Sequence, residues 1–272
     1  MGLFSESYYF FRRAIKKLVR NPIFLMFSLI QPIIFLFIFT QLFDRFANVP
    51  NFRQITGVDT YFEFAAPGII MMNAFTSALQ SGVTMVDDIQ SGFIDKVLVT
   101  PVRRASILLG RMTADAVRII IQSVMLISLA LLQGARADNG VVGVLSVIGI
   151  IAFFGLAWAG ISHSIGLRTK NQQAVFSAGF LLTFPLMFMS TMLVPVILMK
   201  DWIQDVSQYN PISFAVNSIR ALMNLPLGSW LDPNSCGLVS CWVSLQQSLI
   251  VIGGLAALSL SSAILAFKKV VE

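Results

Sequence analysis

Residues 22–43 read P-I-F-L-M-F-S-L-I-Q-P-I-I-F-L-F-I-F-T-Q-L-F and include no charged side chain. A helix of about 20 apolar residues spans the hydrocarbon core of a bilayer, so this stretch predicts a transmembrane helix. The composition of the whole chain agrees, because 56% of its 272 residues are hydrophobic and only 12% are charged. A soluble domain usually carries about 25% charged residues. We therefore interpret the chain as an integral membrane protein.

Five further apolar stretches are long enough to span a bilayer, over about residues 61–86, 113–132, 141–167, 172–199 and 245–267. Because lipid offers no hydrogen-bond partners to the backbone, each is expected to form a helix. The predicted fold is an all-α membrane protein with six transmembrane helices in one domain, residues 22–272. The first run is too long for the core of a removable signal peptide, so none is expected.

The distribution of basic residues predicts the orientation of these spans. Of the 19 Lys and Arg residues, 13 fall on one side of the alternating topology and five on the other, while Arg118 lies inside the third span. Basic residues concentrate in cytoplasmic flanks, so both termini are expected in the cytoplasm and the protein in the plasma (inner) membrane. The net charge of +6 is explained in this way, and no nucleic-acid partner is expected.

The N-terminal segment, residues 1–21, has apolar residues at helical spacing on one face and basic residues on the other. The basic residues are Arg12, Arg13, Lys16, Lys17 and Arg20. This pattern predicts an amphipathic helix in the inner headgroup layer of the membrane. It either anchors the chain to anionic lipid alone or also contacts a cytoplasmic partner.

A charged segment, about residues 87–104, separates the second and third spans on the cytoplasmic side. Ser91 and Gly92 break the preceding helix, and Thr100 with Pro101 ends the short amphipathic helix that follows. Such a helix presents a ridge that suits a docking groove; the alternative is an ordinary connection between helices. The residues that we assign to a partner contact are Asp87, Asp88, Phe93, Val97, Leu98, Thr100, Pro101, Arg103 and Arg104.

Sequence motifs for catalysis or nucleotide binding are absent. The chain contains no G-x-x-x-x-G-K-[ST], no H-E-x-x-H and no G-x-S-x-G. We therefore expect it to bind no ATP, metal or other cofactor itself and to be no enzyme. Its one histidine, His163, is expected to be a hydrogen-bonded residue between helices, because its own span holds no acid for a proton relay.

Three charged residues at the inner end of the third span, Arg111, Asp115 and Arg118, fall on one helical face. The spacing predicts a structural ion triad with the carboxylate between two guanidinium groups. The alternative is a mechanical link between the cytoplasmic segment and the span.

Polar residues interrupt the second span, where Asn73, Ser77 and Gln80 share one face. Such residues either hold helices together through hydrogen bonds or line a path for a substrate. The residues assigned to such a path are Ser28, Gln31, Asn73, Thr76, Ser77, Gln80, Thr183, Ser190 and Thr191. Because Phe and Met surround them, the path suits a bulky apolar or amphipathic molecule better than a small ion.

The outer loop between the fifth and sixth spans, about residues 200–244, is too long for a simple connection. It is predicted to contain short re-entrant or interfacial helices. Cys236 and Cys241 both fall in it. Outside the cytoplasm oxidation is permitted, so these residues either form a disulfide or remain free thiols.

Two motifs in this order resemble a known family. The cytoplasmic segment ends in T-P-V-R-R-A-S-I-L-L-G-R, residues 100–111, and the outer loop contains N-P-I-S-F-A-V-N-S-I-R, residues 210–220. With the N-terminal helix and six spans, the chain resembles the membrane subunit of type-2 ABC exporters of the daunorubicin-resistance permease kind. The resemblance implies two cytoplasmic ABC ATPase subunits, which bind ATP and Mg, docked on the cytoplasmic coupling segment. It also implies a second permease subunit, identical or a sibling.

The function expected from the sequence is ATP-driven export of a drug, lipid or glycolipid of amphipathic or hydrophobic character. The alternative is an ion-coupled secondary carrier or a channel, which the scarcity of intramembrane charges disfavours.

Overall fold

The computed structural model describes residues 3–43, 45, 52, 56, 58–100, 102–224 and 245–271. All regular structure in these residues is helical. The α-helices are α1 (Leu3–Val19), α2 (Pro22–Leu42), α3 (Tyr61–Gln90), α4 (Phe93–Leu98), α5 (Arg104–Leu132), α6 (Gly140–Thr169), α7 (Gln172–Phe188), α8 (Asp201–Tyr209), α9 (Pro211–Asn224) and α10 (Leu245–Val271).

Within the described residues, four helices are long and apolar enough to cross a bilayer: α3, α5, α6 and α10. Shorter apolar segments lie in α2 (Met26–Leu42) and in α7. Several apolar helices in a chain of this composition make a multi-pass membrane protein.

Helices α3 and α6 form the centre of the bundle. Small residues allow their backbones to approach closely: a side chain at Gly82 would overlap Ser162, and one at Gly166 would meet the backbone of Gly82. The Ser162 hydroxyl donates to the Leu79 carbonyl at 2.8 Å. Such packing through small residues is how helices associate in lipid, where apolar burial supplies little driving force.

The remaining helices pack around this pair. Helix α10 lies against α6, where Ser164 and Ser262 share a hydrogen bond of 2.8 Å. Helix α7 lies against α3 at Gly179, since a side chain there would overlap Leu79. Helix α1 crosses α5 at Gly110, where an added Cβ would overlap the Ser7 carbonyl and Phe10. Thus α1, predicted to lie in the headgroup layer, is also docked on the protein.

Two helix boundaries next to the charged segment differ from the prediction. Helix α3 continues to Gln90, beyond the predicted span of residues 61–86, and ends just before the break predicted at Ser91 and Gly92. Helix α5 begins at Arg104 rather than at residue 113. The apolar pattern missed these turns because their charged side chains are paired with other helices rather than placed in water. As a result, α5 runs without interruption from the charged segment to Leu132.

The fifth apolar stretch is shorter than predicted, since α7 ends at Phe188 and a 3-10 helix covers Val196–Leu198. The Asn210 side chain donates to the carbonyls of Leu186 and Met189 at 2.6 and 3.2 Å. It thereby satisfies groups that the last turn of a helix leaves unpaired. The two short helices α8 and α9 follow, within the loop where short helices were predicted. Cys236 and Cys241 lie outside the described residues.

Candidate functional site

The charged segment folds as a short helix, α4, between the ends of α3 and α5. Gly92 precedes α4 with φ of 66°, a left-handed conformation that other residues adopt only with strain. At the other end, the Thr100 hydroxyl donates to the Val97 carbonyl at 2.5 Å. The segment is therefore a defined structure rather than an irregular connection.

The two faces of α4 differ from the expected ridge. Phe93 and Val97 are partly buried and pack with the buried Ile94 against a cluster that includes Met85 and Phe267. Among the described side chains of this segment, the exposed apolar one is that of Val99, which is 85% exposed. Asp95, Lys96, Thr100 and Arg103 are also exposed. Phe93 and Val97, which were predicted to face a partner, thus give part of their apolar surface to the interior of the protein.

Other members of the predicted contact are only partly described. The side chains of Leu98 and Arg104, and the whole of Pro101, lie outside the described residues.

Asp87 and Asp88 face cations of their own chain. Lys17 Nζ lies 2.7 Å from Asp87 Oδ2 and 3.6 Å from Asp88 Oδ1. Asp88 is 3% exposed, pairs with Arg111, and has Arg13 Nη1 at 3.4 Å. Asp88 is thus an internal junction of α1, α3 and α5, and its assignment to the surface that meets a partner is corrected.

Helix α1 contacts both sides of the charged segment. The Arg13 guanidinium lies over the Phe93 ring, 3.4 Å from its centroid. The Glu6 carboxylate accepts hydrogen bonds from the Arg103 backbone N–H at 3.0 Å and the Ser106 hydroxyl at 2.9 Å. We call Glu6, Arg13 and Lys17 the α1 brace.

The N–H of Arg103 is the main cause that lowers the pKa of Glu6, and the Ser106 hydroxyl lowers it further. A carboxylate at this place also favours the start of α5, because the N-terminus of a helix carries partial positive charge. The α1 brace therefore joins α1 to the end of α3, to α4 and to the start of α5.

The predicted ion triad is divided between two partners. Asp115 lies 3.3 Å from Arg118, as the helical spacing indicated, whereas Arg111 pairs with Asp88 on α3. The second partner of Asp115 is His163 on α6, with Nε2 3.1 Å from Oδ2. The expectation of one carboxylate between two guanidinium groups is corrected, because each arginine has a buried acid of its own. His163 is fully buried and hydrogen-bonded between helices, as expected.

A cleft lined mainly by polar residues lies between α2, α3 and α5, with a volume of about 200 Å³. We call it the α2–α3–α5 cleft. Six residues predicted for a substrate path line it: Ser28, Gln31, Asn73, Thr76, Ser77 and Gln80. Phe27, Arg118 and Gln122 complete the lining. Sequence reasoning missed Gln122, although it stands four residues after Arg118 on the same helical face.

The walls of the cleft are held together by hydrogen bonds among the three helices. Gln122 donates to the Ser28 hydroxyl at 2.6 Å and accepts from the Ser77 hydroxyl. Arg118 Nη2 donates to the Ser77 carbonyl at 2.6 Å and to the Ser81 hydroxyl at 2.8 Å. Some of the polar residues predicted for a substrate path, such as Ser28 and Ser77, thus hold helices together, which was the alternative prediction. The same residues also line the cleft.

The other three predicted path residues lie elsewhere. Thr183 is buried in α7 and is not among the residues that line the cleft. The Ser190 hydroxyl donates to the Met187 carbonyl at 2.6 Å, and the Thr191 hydroxyl donates to Asn217 Oδ1 at 3.0 Å. Ser190 therefore stabilises the turn after α7, and Thr191 joins that turn to α9. Neither lines the cleft with Asn73, and their assignment to one path with it is corrected.

Arg220, at the end of the outer-loop motif, is buried and ties α9 to α3. Its Nε and Nη2 donate to the Phe64 carbonyl at 3.1 and 3.0 Å, and Nη2 also donates to the Met192 carbonyl at 2.9 Å. The guanidinium lies 3.8 Å from the centroid of the Phe64 ring. This motif has a structural role in which one arginine satisfies backbone groups of two segments.

Sequence comparison relates the chain to known proteins. Residues 6–224 match the ABC-2 type transporter family. The chain is 28% identical over 230 residues to the daunorubicin resistance ABC transporter permease protein DrrB1 of Streptomyces coeruleorubidus, covering 84% of this chain and 77% of the relative. It is 29% identical over 257 residues to a protein of Cyanophora paradoxa named as a transport permease, ycf38, covering 91% and 84%.

A third relative, named as a doxorubicin resistance ABC transporter permease, DrrC, comes from Mycobacterium tuberculosis. It is 24% identical over 208 residues, which cover 76% of this chain and 73% of the relative. The family match spans α1 to α9 and so includes the α1 brace, α4 and the α2–α3–α5 cleft. The chain belongs to the ABC-2 type transporter family.

Proposed function

We propose that this chain is the membrane subunit of an ATP-driven exporter that moves an amphipathic or hydrophobic molecule out of the cytoplasm or the inner leaflet. The observation that carries the proposal is α4, a defined helix with an exposed outer face, supported from behind by α1, α3 and α5. The chain has no ATP-binding loop of its own. A helix that is exposed on one side and packed against the protein on the other can transmit the movement of a separate ATPase to the membrane helices.

The proposed topology has six spans, namely α2, α3, α5, α6, α7 and α10, with both termini and α4 in the cytoplasm. The excess of basic residues beside α1, α4 and the inner ends of α6 and α10 supports this orientation. The complete exporter would contain two cytoplasmic ABC ATPases, with ATP and Mg bound on them, and a second permease subunit. It would lie in the plasma (inner) membrane.

Continuity between α4 and the cleft supports a mechanism of coupling. Only a few residues separate α4 from α5, and α5 is one helix that carries Arg111 near its start and Arg118 and Gln122 further along. Closure of the ATPases would displace α4 together with the α1 brace, tilt α5 and reshape the α2–α3–α5 cleft. ATP would thus shift the protein between inward-open and outward-open populations by differential binding to the two states.

Co-purification with an ATPase subunit tests this function. We expect the permease to retain the ATPase and raise its ATP turnover, and we expect the double variant Lys96→Glu, Val99→Glu to lose both. The matched control is Asp138→Lys, a charge reversal at an exposed position in the opposite connection, between α5 and α6. Full complex formation and transport by the double variant would contradict the proposal.

The contact between His163 and Asp115 favours one alternative, an ion-coupled carrier. The structure places an acid of α5 beside the histidine of α6, and such buried pairs can carry protons through a membrane. Transport by proteoliposomes that hold the permease and a proton gradient, but no ATPase, would favour this alternative. The proposed exporter is expected to show none.

A further inference from the structure

The α2–α3–α5 cleft contains hydrogen-bond donors that the described protein leaves unpaired. Asn73 is 2% exposed and Arg118 is 5% exposed, and both line the cleft. Among the described residues, neither Asn73 Nδ2 nor Arg118 Nε has a hydrogen-bond partner. A buried donor without a partner destabilises the protein, so two such donors in the lining of one cleft suggest that a bound molecule pairs with them.

Three acceptors of the same cleft are engaged. Gln122 Oε1 accepts from Ser77, and the Ser77 carbonyl and the Ser28 hydroxyl accept from Arg118 and Gln122. The N–H groups left over can be satisfied only by a molecule that supplies hydrogen-bond acceptors. A ligand with donors alone would leave Asn73 Nδ2 and Arg118 Nε unpaired.

The charge of the cleft selects among acceptors. Of the nine residues that line it, Arg118 alone is charged, and Asp115 lies 3.3 Å from that guanidinium. The wall is therefore close to neutral, and an anion would have to leave water without an uncompensated positive charge to meet it. A neutral acceptor with two lone pairs, such as a carbonyl oxygen, fits this site better than a carboxylate or a phosphate.

The mouth of the cleft indicates the rest of the ligand. Phe27, Gln31 and Thr76 are exposed, whereas Asn73 and Ser77 are buried, so a buried polar floor opens outward past an aromatic side chain. The exposed surface of α2 around the mouth is otherwise apolar. A molecule that enters from this side needs an apolar body.

We propose that the α2–α3–α5 cleft binds an uncharged, mainly apolar molecule through a carbonyl oxygen that accepts hydrogen bonds from Asn73 and Arg118. This inference deepens the proposed export function and rests on it in one respect, namely that the bound molecule is the transported substrate. Binding itself requires no ATPase and can therefore be measured separately from coupling.

The test uses the full chain in lipid nanodiscs and benzophenone, an uncharged ketone that forms a covalent bond to nearby C–H groups under ultraviolet light. Labelled peptides are mapped by mass spectrometry, and label is expected on α2, α3 or α5 around the cleft. Fluorenone is then compared as a competitor with fluorene, which lacks the oxygen, and with fluorene-9-carboxylate, which is an anion. Fluorenone should compete about 3- to 10-fold better than fluorene, the factor that one neutral hydrogen bond supplies.

Two variants separate binding from folding. Asn73→Leu keeps the size of the side chain and removes the unpaired amide, so labelling should fall about 3- to 10-fold while the melting temperature stays equal or rises. Thr183→Val is the matched control, because the Thr183 hydroxyl is also buried without a partner among the described residues but does not line the cleft. Its labelling should equal that of the wild type.

Three results would overturn the inference. Equal competition by fluorene would show that no acceptor is recognised, and stronger competition by the carboxylate would show that the site prefers an anion. Unchanged labelling of Asn73→Leu would mean that the amide meets only an internal water. Normal binding by a permease that fails to stimulate any ATPase would instead refute the exporter function and leave the carbonyl site intact.

Discussion

Substitution of Asp88 by asparagine is expected to destabilise the protein far more than the same substitution at the neighbouring Asp87. Asp88 is 3% exposed and pairs with Arg111, itself almost fully buried. Removal of one partner from a buried ion pair costs about 3–5 kcal/mol, because the other charge stays buried without compensation. Asp87 meets Lys17 at 2.7 Å, but both side chains are half exposed, and an exposed pair contributes about 0–1 kcal/mol.

The free energy of unfolding can be measured by titration of the purified protein with dodecyl sulfate in mixed micelles, followed by circular dichroism. Asp88→Asn should lose about 3–5 kcal/mol, and Asp87→Asn should lose about 1 kcal/mol or less. The double variant Asp88→Asn, Arg111→Met should recover most of the loss, because it removes both charges. Equal losses for Asp87→Asn and Asp88→Asn would refute the role of Asp88 as a buried junction.

Three further predictions follow from the α1 brace, the α1–α5 crossing and the outer arginine. The pKa of Glu6 in the folded protein lies below the ordinary 4.5, so ionised Glu6 stabilises the docking of α1 above that pH, and this stabilisation is lost as pH falls through the lowered pKa. Hydrogen exchange of α1 should therefore rise below about pH 4.5 in the wild type. The variant Glu6→Gln should show no such rise. Gly110→Ala places a methyl group against α1 and should lower the free energy of unfolding by about 1–3 kcal/mol. In the control Gly149→Ala the added atom meets nothing within 4 Å, so this variant should stabilise its helix by up to about 1 kcal/mol. Equal effects of the two variants would contradict the close crossing of α1 and α5. Arg220→Lys loses the hydrogen bonds that the planar guanidinium donates to two carbonyls, so the free energy of unfolding should fall by about 2–3 kcal/mol. The control Arg136→Lys changes an exposed ion pair and should alter the free energy of unfolding by less than about 1 kcal/mol.

The sequence predicts the class of fold because lipid imposes a simple rule, namely long apolar helices with basic residues at their cytoplasmic ends. It fails at boundaries where charged residues are buried in pairs. Asp88 and Arg111 belong to long helices, although their charge suggested a loop in water. They are partners of each other but lie on different helices, so no local pattern reveals the pair.

The cleft shows the same limit. Helical spacing placed Asn73, Ser77 and Gln80 on one face, and the structure brings them together with Ser28 and Gln31 of α2. Spacing could not decide which of them are satisfied, since that depends on Gln122 of another helix. It also could not place Ser190 and Thr191, because α7 ends before them and the chain turns toward α9.

The contact of His163 with Asp115 depends wholly on tertiary structure. Within the fourth apolar stretch the histidine has no acid neighbour, which argued against a proton relay. Packing of α5 on α6 brings the carboxylate to 3.1 Å. Pairs of this kind can be found from one sequence only after the helix packing is known.

Crosslinking at Val99 tests most directly whether α4 is the surface that receives work from an ATPase. In a chain whose Cys236 and Cys241 are replaced by serine, Val99→Cys should form a crosslink to the co-purified ATPase with a short bifunctional reagent. Val141→Cys is the control, since Val141 is 74% exposed but lies at the opposite end of the helices. We predict that the crosslink at Val99 forms with the ATPase and that its yield changes when ATP is added. A crosslink at Val141 alone, or at neither position in an intact complex, would contradict the account.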